Sequence, residues 1–408
     1  MRVGVIGGGV AGSFLCYLLA SEKIDCLLYE GRPPREKPCG GGCTGKITRR
    51  YPLFPTASIP KNQVFDIFYQ STRHECVHLR LSEPIWIYSR SELDGFLREQ
   101  ARQRGCRIIK QRAIGFERNA GKKWLIRDRD GRTETCDFLV GADGAGSIVR
   151  KRLAEPFDPS DLSVTSGYYV PLSSPSDSIH IRFMDPDLDG YLWSFPRVDH
   201  ASVGIINTYK ALSSSELFGR LNRFVEDLYG LQSSSSLRGY AATVPTLRAE
   251  TFGRLKVGEA DWALIGDAAG FVDPITAEGI AYAMRSAELL ASALVARQPA
   301  RYAMDWRNDF GAELIQAARL KRRFYRKNFA GETFISRMLE LTRDSAVVKK
   351  GQNDLIAGRL TYKQLALKMV LQAPRILYQI SVRKDIKDPK DPRDPKDTKD
   401  NDDHSRDR

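Results

Sequence analysis

The sequence predicts an α/β chain, α+β overall, in which a Rossmann-type dinucleotide-binding domain carries an inserted antiparallel β-sheet domain and is followed by C-terminal helices. Three observations predict it. The first thirty residues run strand, glycine turn, helix, strand and acid. The middle of the chain turns β-rich, with Pro and Ser turns, and returns near residue 263 to a buried strand and a long apolar helix. Beyond Arg301 the pattern is helical and basic. That order of elements asks for a parallel layer interrupted by a second sheet.

Val3, Val5 and Ile6 make a short buried strand, and Gly7, Gly9 and Gly12 lead at G-x-G-x-x-G spacing, with Ala11 among them, into an apolar helix expected over Ser13 to Ala20. The first glycine permits the tight turn, the second lets backbone approach a pyrophosphate, and the third lets helix pack on strand. The helix N-terminus then faces the phosphates, where its partial positive charge favours them. A second strand, Cys26 to Tyr29, ends at Glu30, whose carboxylate is placed to accept from both ribose hydroxyls.

After Glu30 comes GRPPREKPCGGGCTGKI, a loop rich in Pro and Gly that contains Arg32, Arg35, Lys37 and Lys46. Its glycines let backbone pass close to a flat ligand, although a mobile surface loop reads the same way. Cys39 and Cys43 have no second Cys or His pair at ligand spacing, so no metal site is expected. Residues 64 to 88 read as two or three alternating strands. A helix follows Arg90, with Ser91 as its expected N-cap and Leu93, Phe96 and Leu97 as its stripe. Two hairpin-like strands from Arg107, turning at Asp130-Gly131, lead to a buried strand, Phe138 to Val140, that delivers Gly141, Asp143 and Gly144 to a turn. Ser147 and Arg150 fall on the helix after it. From about Pro156 to Glu250 the chain is β-rich, with one helix around Ser214 to Leu228. A strand over Ala263 to Ile265 then precedes the small residues from Gly266 to Gly270, and Pro274, Glu278 and Gly279 open a long helix.

The expected domains are 1–155 together with 255–300 for the dinucleotide, with the strands of 64–88 joining the inserted layer, and 156–254 for the inserted sheet. Residues 301–384 form a C-terminal helical region, and 385–408, KDPKDPRDPKD-like and almost without apolar residues, a disordered charged tail.

At 408 residues the chain can bury a large core, and 42% hydrophobic with 28% charged residues is a globular composition. No apolar run reaches the length of a membrane-spanning helix, since Arg285 and Glu288 interrupt the most apolar one, Ile280 to Val295. With the first strand starting at residue 3, no signal peptide is expected. Seven cysteines without framework spacing suit a reducing cytosol. A net charge of +13 favours acidic partners such as an anionic membrane surface or a phosphorylated substrate; nucleic acid is set aside because no motif for it is present.

Together the N-terminal fingerprint, GADGAGSIVR and LIGDAAGFVDPITAEGI resemble the FAD-dependent oxidoreductases of the p-hydroxybenzoate hydroxylase fold class. Two further stretches narrow the resemblance to the geranylgeranyl reductase family. PREKPCGGG is similar to its P-x-x-K-x-C-G-G signature, through Pro34, Lys37, Cys39, Gly40 and Gly41, and GYLWSFPRVDHASVG to its Y-x-W-x-F-P and spaced glycine, through Tyr191, Trp193, Phe195, Pro196 and Gly204. The resemblance implies non-covalent FAD in a domain of glutathione reductase type. In it Asp143 structures the turn along the pyrophosphate and ribose, Asp267 meets the ribityl chain, and the helix after Pro274 aims its N-terminus at the isoalloxazine. Gly7, Gly9, Ala11, Gly12, Glu30, Arg90, Gly266 and Gly279 are the other implied FAD contacts, with Cys39, Gly40 and Gly41 at the flavin face.

Members of that family saturate carbon–carbon double bonds of polyprenyl chains on lipids, quinones or chlorophyll precursors, by hydride from reduced flavin and a proton from elsewhere. An isolated alkene offers nothing to hydrogen-bond, so only an apolar, aromatic-walled slot can orient it. Tyr191, Trp193 and Phe195, followed by Pro196, are suited to wall one; they are equally suited to fill a sheet face, and both readings stand. Cys39, near Lys37, is either a catalytic proton source or substrate positioner, or a small buried filler. With no second fingerprint, electrons would come from a transiently bound NADPH or a reduced ferredoxin-like protein. The rival reading is an FAD-dependent monooxygenase or halogenase; a flavoprotein that only binds a lipid or partner is a third. The expected location is cytoplasmic, with peripheral contact at the inner face of a membrane through the basic helix Arg319 to Lys327 and the amphipathic segment Tyr362 to Val382, unless these helices are a brace on the FAD domain.

Overall fold

Val3, Val5 and Ile6 are buried because Arg2–Ile6 is the central strand of a five-stranded parallel sheet. Asp25–Tyr29 and then Arg107–Ile109 flank it on one side, Phe138–Gly141 and then Trp262–Leu264 on the other. The computed structural model describes residues 1–71, 76–184, 189–209, 211–231, 234, 236–325 and 333–379. A parallel strand covered on both faces reads as a continuous apolar run, which is the pattern of VGVI, CLLY and FLV. The helix Val10–Ser21 begins three residues earlier than its apolar stripe suggested and packs between Arg90–Gln103 and Ile280–Val295.

Three local expectations are corrected. The segment from Arg107 does not make a two-stranded hairpin: Arg107–Ile109 pairs with Tyr29 and its neighbours in the parallel sheet, and Ala113–Arg118, Trp124–Asp128 and Thr133–Cys136 form a three-stranded antiparallel sheet of their own. Asp130-Gly131 does turn the chain there, between the last two strands, with Asp128 Oδ1 accepting from the N–H groups of Asp130 and Arg132. Ser91 is not the N-cap of its helix. Arg90–Gln103 is preceded by Ser89, and the carboxylate of Glu36 accepts from the N–H groups of Arg90 (2.9 Å) and Ser91 (3.4 Å), a cap supplied by a distant loop. The long helix starts at Ile280, not at Pro274. Pro274 lies in a turn held by Asp273, whose Oδ1 accepts from Ile275 (2.8 Å) and Thr276 (3.0 Å).

The second sheet has eight strands in the order Arg238–Pro245, Leu162–Pro171, His200–Thr208, Gly190–Pro196, Ser178–Phe183, Lys61–Gln70, Val77–Tyr88 and Gly42–Cys43. Neighbours are antiparallel except Ser178–Phe183 and Lys61–Gln70, which pair in parallel. It is therefore a mixed sheet rather than an antiparallel one. Two-residue periodicity sends Leu192, Val203 and Ile205 under the helix Ser214–Tyr229, where Leu217, Leu221 and Phe224 cover them. Tyr191, Trp193 and Phe195 consequently point to the opposite face.

Among the described residues the C-terminal helices Ala312–Phe324, Phe334–Asp344, Ala346–Ile356 and Tyr362–Leu371 follow. Asn353 straps them to the strand Val77–Tyr88: its Oδ1 accepts from Ser82 N (2.9 Å) and its Nδ2 donates to the Arg80 carbonyl (3.0 Å). No helix among the described residues is long and apolar enough to cross a membrane. The charged tail from Asp385 lies outside the described residues, as do Lys327, Ile380 and Val382. Cys16, Cys26 and Cys106 bring their Sγ atoms within 4.8 Å of one another in the core of the parallel-sheet domain, a cluster that no sequence spacing announced.

Candidate functional site

Gly7 has a φ of +109° and its N–H donates to the Tyr29 carbonyl (3.0 Å), which turns the chain sharply off the first strand. A Cβ on Gly12 would stand 2.0 Å from the Gly7 carbonyl oxygen, so only glycine lets the helix seat this closely. The helix has no acid in its first turn, and Glu30 is held at the end of the second strand by the N–H groups of Gly8 (3.1 Å) and Arg32 (3.0 Å). Gly7, Glu30 and Arg32 open onto a cavity of about 1070 Å³ between the two sheets.

Asp143 and Asp267 reach that cavity from the neighbouring strands. Asp143 Oδ2 accepts from Ile148 N (2.7 Å), while its Oδ1 is buried without a partner among the described residues. Burial pushes the Asp143 carboxyl above its usual range, and bonds from Ser147 and Ile148 offset only part of that. Asp267 is also raised by burial, against the pull of Arg90 and Lys37. Arg150 locks these two turns together: buried on the helix Ile148–Leu153, it donates to the carbonyls of Ala268 (2.6 Å) and Ala269 (3.3 Å).

The loop between Glu36 and Lys46 forms the next stretch of wall. Cys39 Sγ accepts from Gly41 N (3.3 Å) and lies against the Arg90 guanidinium. Lys37 pairs with Asp94, which also binds Arg90 at 2.9 Å. Burial pushes the Asp94 carboxyl up, but Arg90 and Lys37 outweigh it and the net direction is down. Lys46 bonds Glu278 (2.9 Å) and Thr44 donates to the same carboxylate (3.2 Å), tying the loop to the residues before the long helix.

Beyond the loop the cavity becomes apolar. Tyr191, Trp193 and Phe195 line one side, with Ile67, Ile179 and Ile181 alongside. A Cβ on Gly204, across the ladder from Trp193, would stand 2.4 Å from the indole, so this glycine makes room for the ring. Phe195 covers Gly40 and Gly42, and the Tyr191 hydroxyl donates to the Thr276 carbonyl. The far wall comes from the C-terminal helices, through Phe324, Tyr325, Met338, Ile356 and Tyr362.

Gly7, Gly9, Ala11, Glu30, Cys39, Gly40, Gly41, Arg90, Asp143, Asp267, Gly279, Tyr191, Trp193 and Phe195 thus share one cavity. Gly12, Gly266, Pro274 and Pro196 are not on its wall. Sequence reasoning missed Glu36, Asp94, Arg197 and the C-terminal wall. Only Asp94 left a readable trace, four residues after Arg90 on one helix face.

The family described as FAD binding domain matches residues 56–187. The geranylgeranyl diphosphate reductase of Synechocystis sp. is 27% identical over 406 residues, covering 90% of this chain and 97% of that protein. These likenesses support an FAD-dependent oxidoreductase similar to the geranylgeranyl reductases. A geranylgeranyl bacteriochlorophyll reductase-like crystal structure from Thermoplasma acidophilum has the same fold, with a TM-score of 0.74 at 20% identity over 90% of this chain and 98% of that one. The flavin-dependent brominase Bmp2 shares it at a TM-score of 0.68 and 19% identity, over 94% and 100% of the two chains. The residues present fit FAD. The glycine cradle leaves room for phosphates at the N-terminus of Val10–Ser21, Glu30 stands ready for ribose, and Asp143 keeps one buried oxygen unpartnered beside the cavity.

Proposed function

We propose that the protein is an FAD-dependent reductase that saturates carbon–carbon double bonds of a geranylgeranyl-type chain carried by a lipid, a quinone or a chlorophyll precursor. The observation that supports this most is continuity: a single cavity runs from a dinucleotide cradle at Gly7 and Gly9 into an apolar slot with aromatic side chains on both walls. Gly7, Gly9, Ala11, Glu30, Asp143, Asp267 and Gly279 would hold FAD, with Arg90 and the Cys39–Gly41 loop beside it. When bound and reduced, FAD supplies a hydride. The chain's own residues do the rest. Tyr191, Trp193 and Phe195 from the sheet and Phe324 and Tyr325 from the helices orient the prenyl chain by shape and keep water out. Cys39, on the cavity wall with its Sγ held by Gly41 N, is our candidate for holding the proton that completes the reduction. Electrons would arrive from NADPH or a reduced ferredoxin-like protein, and the net charge of +13 suits an acidic carrier. The reading puts the enzyme in the cytoplasm, drawing its substrate from a membrane surface.

The test is anaerobic. Purified protein carrying FAD is reduced without oxygen and given a geranylgeranyl diphosphate or a geranylgeranylated lipid; reoxidation of the flavin with loss of a double bond is expected. A product that forms only with oxygen would move the protein to the monooxygenases and halogenases. No flavin turnover with either would leave a flavoprotein that only binds.

A further inference from the structure

The helix Tyr362–Leu371 and the helical turns after it, to Gln379, have two unlike faces. Inward, Tyr362 lines the cavity and its hydroxyl donates to Asp273 Oδ2 (2.9 Å), Leu365 and Met369 lie on Gly351, and Lys368 pairs with Asp354 (2.9 Å). Outward, Leu367, Val370, Leu371, Leu377 and Tyr378 are 59 to 71% exposed. They are five of the twelve large apolar side chains exposed among the described residues, gathered in twelve positions, whereas single scattered ones are the rule on a protein surface. From Thr361 to Gln379 there is no acid, and Lys363 and Arg375 are exposed beside the apolar face.

We propose that this outer face lies in the interface of an anionic bilayer, with the helix parallel to the membrane plane. The inference rests on the polyprenyl reading of the cavity, because the same helix that meets the bilayer is then the wall of the slot the prenyl chain enters. An apolar stripe flanked by bases without acids fits an anionic surface. Two copies of this face would bring like charges together, which disfavours a self-interface. Of the basic helix expected to dock, Lys321 turns inward and donates to Thr246 Oγ1 (3.2 Å), and burial lowers its pKa, so the helix after Thr361 is the stronger candidate.

The test is flotation of the full-length, FAD-loaded protein with phosphatidylcholine vesicles, with and without phosphatidylglycerol. Partition to the anionic vesicles is expected. Leu367→Glu with Leu371→Glu should lower it about tenfold or more, as loss of two buried leucines requires. Lys363→Glu with Arg375→Glu should lower it at low salt and little at high salt, and Arg319→Glu with Arg323→Glu should change it less than about twofold, those two bases belonging to the separate helix Ala312–Phe324. The leucine variant should still bind FAD and reduce a detergent-dispersed prenyl substrate, which separates docking from chemistry. Wild type that stays with no anionic vesicle, a leucine variant that floats like wild type, or a concentration-dependent dimer that the leucine changes convert to monomer would each overturn the proposal. Wild type that floats while no prenyl substrate reoxidises its flavin would uphold the docking and sink the polyprenyl reading.

Discussion

Arg197 and Glu36 form a buried ion pair that joins the end of the aromatic strand to the loop carrying Cys39. Arg197, 1% exposed, also donates to the Cys39 carbonyl (2.6 Å) and lies 3.1 Å from His200 Nε2. Because arginine only donates, Nε2 of His200 is the acceptor, and its Nδ1 carries the hydrogen directed at Asp199. Glu36 in turn caps the helix that bears Arg90 and Asp94. One carboxylate thus fixes both the helix and the guanidinium that fixes the loop. Burial pushes the Glu36 carboxyl up, but Arg197 and the capping N–H groups outweigh it, and the net direction is down.

Removing one member leaves the other charged and buried. Arg197→Met or Glu36→Gln is expected to destabilise the protein by about 3–5 kcal/mol and to weaken FAD binding, while the double variant costs less than the sum. Urea unfolding with and without FAD, completed as a double-mutant cycle, measures this.

Gly9 and Gly12 should fail differently. A Cβ on Gly9 would meet only Lys37 Nζ, at 3.4 Å, so Gly9→Val is expected to fold with near-native Tm yet purify colourless. Gly12→Val would drive a side chain into the Gly7 carbonyl and should not give soluble folded protein. Visible absorbance and circular dichroism distinguish the two outcomes.

Gly204→Val is expected to push the Trp193 indole into the slot, because its new Cβ would stand 2.4 Å from the indole. FAD content should stay near one per chain, since the cradle is untouched. Turnover of a geranylgeranyl substrate should drop about tenfold or more, with a shift in tryptophan emission as the independent readout.

Glu288 makes an acid-sensitive joint between the helix Ile280–Val295 and the Arg50–Tyr51 turn. It accepts from Arg50 Nε (2.9 Å) and Tyr51 OH (2.7 Å) and pairs with Arg285 (2.9 Å). Burial pushes its pKa up, but those three partners hold it down to about 2. Its folded pKa lies below the ordinary glutamate value of about 4.3. The stabilisation is therefore present above about pH 4.3 and is lost as pH falls towards 2. Discounted for its partial exposure, it amounts to about 1–2 kcal/mol. Glu288→Gln should lose that at neutral pH and show a flatter stability profile between pH 4.5 and 2.5 than wild type in urea titrations.

What the sequence determined by itself was what depends on near neighbours along the chain. The glycine turn is of that kind: the positive φ at Gly7 and the contact between Gly12 and Gly7 involve residues five apart, so spacing alone announces them. Apolar runs marked the parallel strands, because burial on both faces leaves no room for polar alternation. The turn at Asp143 and the small residues around Asp267 were legible for the same reason.

Only the tertiary structure decided the contacts between distant segments, since spacing within one element carries no record of what packs against it. Glu36 and Arg197 meet from two loops, and nothing local distinguishes either from a solvated charge. The parallel pairing of Ser178–Phe183 with Lys61–Gln70, and the capping of Arg90–Gln103 by Glu36 rather than Ser91, follow from how the two sheets close on each other. The apolar stripe after Tyr362 posed brace against membrane helix as alternatives. The fold gives it both an inner face on the cavity and an outer face in solvent, because a helix has two sides and only packing assigns them.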